Sequence, residues 1–267
     1  MRSKSYKSGR FDVKYHEKKP GHRSNYMDLT HTSGFLLACY FILRGRPQSF
    51  FAIFAVKCAS FSQMNRGTSK RSACSSVGMP QHASVKQANQ LLERSVLLIF
   101  LVTSLRGTWF LEQPRGSCLE FYPTFRKLFM ALYITRHRPA VFRVSWWMGH
   151  FASATPKRHY GYANSAKIRS LDRGVLHRNS LFTREYPVQF ACHLARHCEI
   201  LKSTGEGYPQ AEVVPAATET FRSMMYNCEP ELWEFTSFEP LFVYLRGAKR
   251  LKIPEEWREL IPRSFPS

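Results

Sequence analysis

The order of apolar segments between residues 50 and 147 predicts an α/β layered fold with a mostly parallel sheet. Two short apolar runs, at residues 50–56 and 108–111, are typical of strands, and a segment with helical spacing separates them. A third run follows a second helical segment, so strands and helices alternate. With 44% apolar residues, including 21 Phe, the 267-residue chain has enough material for a packed core.

The first strand, residues 50–56, is a continuous apolar run, which is typical of a strand buried on both faces of a sheet. After a polar loop, Ser84 is a candidate N-cap for a long helix. The helix is expected to end at Arg106 and Gly107, since glycine favours a helix C-terminus. Its apolar stripe consists of Val85, Ala88, Leu92, Val96, Ile99 and Val102.

Further along the chain, the pattern predicts a helix from about Pro123, a strand at 141–147 and a last helix at 187–201. Residues 155–183 are basic and read as irregular. Ligands of open α/β sheets bind outside the carboxyl ends of the strands. We therefore expect the chemistry in two polar segments that follow strands, residues 57–72 and 112–116.

Composition divides the chain into three parts. Residues 1–25 form a basic arm with eight Lys and Arg, residues 26–205 form the α/β domain, and residues 206–267 form a proline-rich, acidic and irregular tail. Residues 1–207 carry 32 Lys and Arg against 10 Asp and Glu, a net +22, whereas residues 208–267 carry a net −2. We expect the arm to be mobile or poorly packed.

The net charge of +20 favours a polyanion such as DNA or RNA as partner, although a solvated basic surface would give the same composition.

The apolar runs are too short to span a bilayer, so no membrane is expected. Seven Cys, an odd number, and a polar start without a signal peptide indicate a reducing compartment inside the cell, with the nucleus as one option. The oligomeric state stays open.

Cys58 follows the first predicted strand and is a candidate nucleophile. Lys57 and Arg66 flank it, and nearby positive charge favours the thiolate form of a cysteine. The alternative is a small buried apolar residue, which most free cysteines are.

Glu112 lies at the carboxyl end of the second predicted strand and is the candidate partner of this cysteine. Partial burial would raise its pKa and let it hold or protonate a ring nitrogen of a bound base. The alternative is an ordinary ion pair with one of the many arginines.

Two clusters support less specific interpretations. Cys192, His193, His197 and Cys198 are possible zinc ligands, but the two cysteines lie on different helix faces, so we expect no metal. Trp146 and nearby aromatic residues mix with cations, a combination that suits nucleic acid, although a buried strand followed by a basic loop would also contain it. The candidate nucleic-acid-binding residues are Lys57, Arg66, Lys70, Arg71, Arg143, Lys157 and Arg158.

The pair Cys58-x-x-Phe61-Ser62 and Glu112-Gln113-Pro114 resembles two signature motifs of the cytosine-5 DNA methyltransferases. The resemblance implies a Rossmann-like fold in which the Cys58 thiolate adds to C6 of cytosine and Glu112 holds the ring N3 side. It also implies S-adenosylmethionine as cofactor, with Asp28 near its adenine and Asp12 near its ribose. The target base would have to leave the stack of the duplex.

A second likeness, over roughly residues 10–200, is to a large family of multi-copy protist open reading frames. These share stretches similar to Ser60-Phe61-Ser62-Gln63-Met64-Asn65-Arg66-Gly67-Thr68-Ser69, Glu112-Gln113-Pro114-x-Gly116-Ser117 and Trp147-Met148-Gly149-x-Phe151.

Departures from the methyltransferase pattern shape the functional prediction. The glycine-rich cofactor loop of the family is expected before Asp12, where this chain has only Gly9, and Lys57 replaces the proline before the nucleophile. We therefore predict a degenerate or truncated cytosine-5 methyltransferase-like protein that is inactive as this chain alone and binds nucleic acid. The alternative is a non-catalytic basic nucleic-acid-binding protein of mobile-element origin.

Overall fold

The structure is a computed structural model and describes residues 8–13, 27–45, 49–136, 140–153, 155–176 and 187–204. The predicted C-terminal tail, from residue 206, lies outside the described residues, as does most of the predicted N-terminal arm. The described part of that arm is packed, since the Phe11 ring makes an edge-to-face contact with Phe41, centroid to centroid 6.4 Å.

A four-stranded sheet forms the centre of the fold, with strand order β1-β2-β4-β3. β1 and β2 are parallel, and β4 runs antiparallel to both of its neighbours. The strands are β1 Phe51–Phe54, β2 Thr108–Pro114, β3 Phe142–Trp147 and β4 Arg158–Ala163. The predicted α/β class is confirmed, and its Rossmann-like character is limited to helical layers around one parallel β–α–β unit.

The expectation of a mostly parallel sheet is wrong, because β4 lies within residues 155–183, which the sequence pattern indicated to be irregular. Only residues 148–157 connect β3 to β4. Such a connection is shorter than the dozen or more residues that a parallel crossover needs, so the two strands pair antiparallel.

Five helices surround this sheet in the described part of the chain, and all of the predicted helices are present. They are α1 Thr32–Leu43, α2 Arg66–Ser69, α3 Ala83–Ser104, α4 Pro123–Arg136 and α5 Val188–Thr204. Ser84 is not the N-cap of α3, because the helix begins at Ala83 with His82 at the cap position. None of the described helices combines the length and the apolar character that a membrane span requires.

The two faces of the sheet pack against different layers. On one face, Trp109 and Leu111 of β2 belong to a core shared with α1, α3 and α4. On the other face, Phe110 of β2 and Trp146 of β3 pack with Phe190 of α5, whose ring stacks on Trp146 at 5.6 Å. β2 is therefore the buried central strand.

The first strand differs from its prediction as a strand buried on both faces. β1 lies at an edge of the sheet and is only partly buried, with Ile53 42% exposed. An apolar run has this appearance whether one or both faces are covered, so its sequence does not distinguish an edge strand from a central one.

Candidate functional site

The parallel pairing of β1 and β2 brings Cys58 and Glu112 to the same edge of the sheet. Phe54 pairs with Leu111, so both chains leave the paired region side by side. The Gln113 side chain ties the two segments together, because its Nε2 donates to the Val56 carbonyl at 2.7 Å. Glu112 is close enough to Cys58 to raise the pKa of the thiol. Cys58 and Glu112 therefore both come after the last paired positions of β1 and β2, at the same edge of that strand pair.

Glu112 is held by a third residue, His159, which the sequence analysis did not single out as a site residue. The carboxyl side chain is 6% exposed, and Nδ1–H of His159 donates a short hydrogen bond to its Oε1. Glu112 pairs with Gly161 across the β2–β4 ladder, and His159 lies two residues earlier on the same face of β4. Nothing in the sequence indicated that His159 lies beside Glu112, because the strand β4 that carries His159 was not predicted.

The pKa of Cys58 is raised, mainly by burial and then by the negative charge of Glu112. Its own backbone and the Lys157 ammonium act in the opposite direction. The expectation that Lys57 and Arg66 favour the thiolate is therefore wrong: both side chains are exposed, and the cation that acts on Cys58 is Lys157. At neutral pH the sulfur is a thiol rather than a thiolate.

The segment after Cys58 is a tight, internally bonded loop. The Cys58 carbonyl accepts from the backbone N–H groups of Phe61 and Ser62, each at 2.9 Å. Phe61 is buried and meets the Tyr122 ring edge-to-face at 6.0 Å. Met64 lies at the outer side of this loop and is 94% exposed.

Arg71 is buried and stabilises this loop through hydrogen bonds, so it is not exposed for contact with nucleic acid. It is 2% exposed, and its guanidinium lies 3.9 Å from the Phe61 ring centroid. Nη2 donates to Ser60 Oγ at 3.0 Å and to Asn89 Oδ1 at 2.8 Å. Nη1 donates to the carbonyls of residues 76 and 77. The prediction that Arg71 contacts nucleic acid is therefore corrected.

The other predicted nucleic-acid-binding residues differ in how freely they can meet a ligand. Lys57, Arg66, Lys70 and Lys157 are exposed, and Arg158 is partly exposed. Arg143 is exposed too, but its Nε lies 3.2 Å from a Glu120 carboxylate oxygen, so part of its charge is already neutralised.

The residues predicted to hold S-adenosylmethionine, Asp28 and Asp12, lie in separate segments of the described structure. Asp28 closes the turn before α1, because its Oδ1 accepts from both the backbone N–H and the hydroxyl of Thr30, at 2.8 and 2.7 Å. Asp12 belongs to the segment 8–13 that packs against α1 through Phe11.

The histidines of α5 make a hydrogen-bonded contact rather than a metal site. Nε2 of His193 and Nε2 of His197 lie 3.0 and 2.9 Å from the hydroxyl of Ser170. Within the described residues, no group of three or more possible ligands can hold a metal ion. Cys192 is exposed, and the side chain of Cys198 lies outside the described part of the structure.

Fold and site together define an α/β protein in which a Glu112–His159 pair joins β2 and β4, and Cys58 follows the strand β1 that pairs with β2. Comparison of the chain with models of protein families, with curated proteins and with solved structures finds no match.

Proposed function

We propose that this chain is a degenerate relative of the cytosine-5 DNA methyltransferases, which binds nucleic acid and does not transfer a methyl group as this chain alone. The observation that carries the proposal is that Cys58 follows β1 and Glu112 lies in the adjacent parallel strand β2, directly after its pairing with β1 ends, in the order that the family motifs imply. With nucleic acid as partner, we also propose an intracellular place of action, of which the nucleus is one option.

The arrangement suits the edge of a planar base. A carboxylate at a buried strand end, fixed by His159, offers a directed hydrogen-bond partner for a ring nitrogen. Cys58 follows the neighbouring strand and lies near enough for electrostatic coupling to that carboxylate. A base turned out of a duplex would then meet a sulfur and a carboxylate together.

Positive charge around the site supports binding to a phosphate backbone. Lys57 and Lys157 are exposed beside the cysteine segment, and Arg66 and Lys70 are exposed along the loop that follows. Cations in this arrangement attract a polyanion and release counterions when they bind it.

Two features support the absence of methyl transfer. The raised pKa of Cys58 keeps the sulfur protonated, and a thiol is a poor nucleophile. The carboxylate of Asp28 is engaged by Thr30, so it does not supply the adenine contact that the methyltransferase resemblance implies.

The direct test incubates the purified chain with duplex DNA and S-adenosylmethionine that carries a labelled methyl group. We expect binding at low salt, with an affinity that falls steeply as salt is added, and no label in the DNA. Methyl transfer that is lost in Cys58→Ser would overturn the proposed inactivity. Absence of DNA binding at low salt would overturn the proposed nucleic-acid partner.

A second measurement separates a nucleobase site from a merely basic surface. A duplex in which a single cytosine is mismatched, or lies opposite an abasic site, lowers the energy needed to expose that cytosine. We expect the mismatched duplex to bind more tightly than the matched one, and Glu112→Gln to remove the difference. Equal affinities for all duplexes would favour the non-catalytic basic protein instead.

A further inference from the structure

A row of arginines and aromatic residues lies on the sheet face that β3 and β4 turn away from α5. Val144 and Trp146 face α5, so Arg143 and Trp147 point to the opposite side of β3. The ladder pairs Trp147 with Arg158, and Tyr160 lies two residues further along β4. We call the set Arg143, Trp147, Arg158 and Tyr160 the arginine–aromatic strip.

Each cation of the strip lies over an aromatic ring. The Arg143 guanidinium carbon is 4.0 Å from the Tyr160 ring centroid, and that of Arg158 is 5.5 Å from the Trp147 ring. Arg158 is also oriented by Ser145, because its Nε donates to the serine hydroxyl at 2.7 Å. The planar groups are therefore held in place before any ligand arrives, which reduces the entropy lost on binding.

The charge of the strip is only partly compensated. Glu120 pairs with Arg143, but in the described part of the chain no carboxylate lies within ion-pair distance of Arg158. Two further exposed cations adjoin it: Lys157 precedes Arg158 in the chain, and the backbone N–H of Arg115 donates to the Arg158 carbonyl at 2.9 Å. The strip thus presents more positive than negative charge.

The strip and the candidate site share the strand β4 but occupy different faces of the sheet. Lys157 is the cation whose charge acts on Cys58, and it immediately precedes the first residue of β4. Glu112 pairs with Gly161, which in turn pairs with Val144, so the carboxylate lies on the α5 side of the sheet and the strip on the opposite side.

We propose that the arginine–aromatic strip binds single-stranded nucleic acid. Phosphates contact Arg115, Lys157 and Arg158, and bases stack on the planar groups of Trp147 and Tyr160 and on the guanidinium groups that cover them. This inference rests on the nucleic-acid partner proposed above and adds the form of the ligand. A single strand exposes its base faces to such a surface, whereas a duplex keeps them stacked inside.

The test uses the full chain and a fluorescent 20-nucleotide oligothymidylate, with a blunt 20-base-pair duplex as the comparison ligand. Fluorescence anisotropy gives the affinity of both at several salt concentrations. The variants are Trp147→Leu and Tyr160→Leu, with Trp147→Phe as the conservative replacement. The matched control is Tyr133→Leu, since Tyr133 is a 54% exposed aromatic residue outside the strip.

We expect the single strand to bind more tightly than the duplex. Trp147→Leu and Tyr160→Leu should each weaken single-strand binding by about 5- to 150-fold, the loss of one stacked base. Trp147→Phe should recover most of the affinity, and Tyr133→Leu should have no effect.

Three results would contradict the inference in different ways. If Trp147→Leu and Tyr160→Leu fold and still bind the single strand as tightly as the parent chain does, the strip is not the binding surface. That result would leave the proposed binding to duplex DNA untouched. If circular dichroism shows that either variant is unfolded, Arg158→Gln provides the test instead. A salt dependence of single-strand affinity that is the same in Arg158→Gln as in the parent chain would equally contradict the inference. Absence of binding to both ligands in the parent chain would overturn the proposed nucleic-acid partner as well.

Discussion

Replacing Arg71 with methionine should destabilise the protein strongly, although Arg71 lies in a polar loop. Methionine keeps much of the side-chain length but removes the guanidinium, which donates to Ser60, Asn89 and nearby carbonyls and lies 3.9 Å from the Phe61 ring. Four acceptors, Ser60, Asn89 and the carbonyls of residues 76 and 77, lose their donor at about 0.5–1 kcal/mol each, so the free energy of unfolding should fall by about 3 kcal/mol.

This loss can be measured by urea denaturation followed by tryptophan fluorescence, because Trp109 and Trp146 are fully buried. For a domain of this size, a 3 kcal/mol loss lowers the midpoint of thermal unfolding by about 6 to 12 °C. Arg66→Met is the matched control, since Arg66 is exposed and should change stability by less than about 0.5 kcal/mol. An Arg71→Met variant as stable as the control would refute the reasoning.

Three further outcomes follow from other parts of the structure. Glu112→Gln should lower the pKa of Cys58 and speed its alkylation by iodoacetamide at pH 7.5, whereas an unchanged rate would show that the carboxylate does not act on the sulfur. Burial lowers the pKa of His197 from 6.5 to about 4, so the unfolded chain binds more protons in that range and stability should fall by up to about 3 kcal/mol between pH 6.5 and 4. Thermal unfolding of wild type and His197→Gln across this range checks it, because only the wild type should show the full decline. Gly161→Ala should destabilise by about 1–3 kcal/mol, since the added Cβ would lie 2.5 Å from the Phe110 ring, and an unchanged urea midpoint would contradict this close packing.

The sequence was sufficient where local periodicity and chain order determine structure. The apolar stripes predict α3, α4 and α5, and a helix between two strands predicts the parallel β1–β2 pair. That pair alone brings Cys58 and Glu112 to one edge. The order of strands and helices along the chain therefore predicts that Cys58 and Glu112 share a sheet edge, but it does not predict the contact with His159.

The missed features depend on contacts between distant segments. β4 has the sequence Arg-His-Tyr-Gly-Tyr-Ala, whose charges and glycine hide its strand character until it lies between β2 and β3. Without β4, no pattern connects His159 with Glu112. Arg71 was misread for a similar reason, because an arginine among serines looks exposed unless its acceptors are known.

The sheet order imposes a sequence of events on folding during synthesis. β3 leaves the ribosome before β4, yet it touches β2 only through β4, so it has no sheet partner until residue 163 has emerged. Until then β2 presents an open hydrogen-bonding edge, and Trp146 lacks its cover from Phe190 for longer still, until α5 has emerged. A nascent chain stalled between β3 and β4 is thus the form of this protein most prone to aggregate.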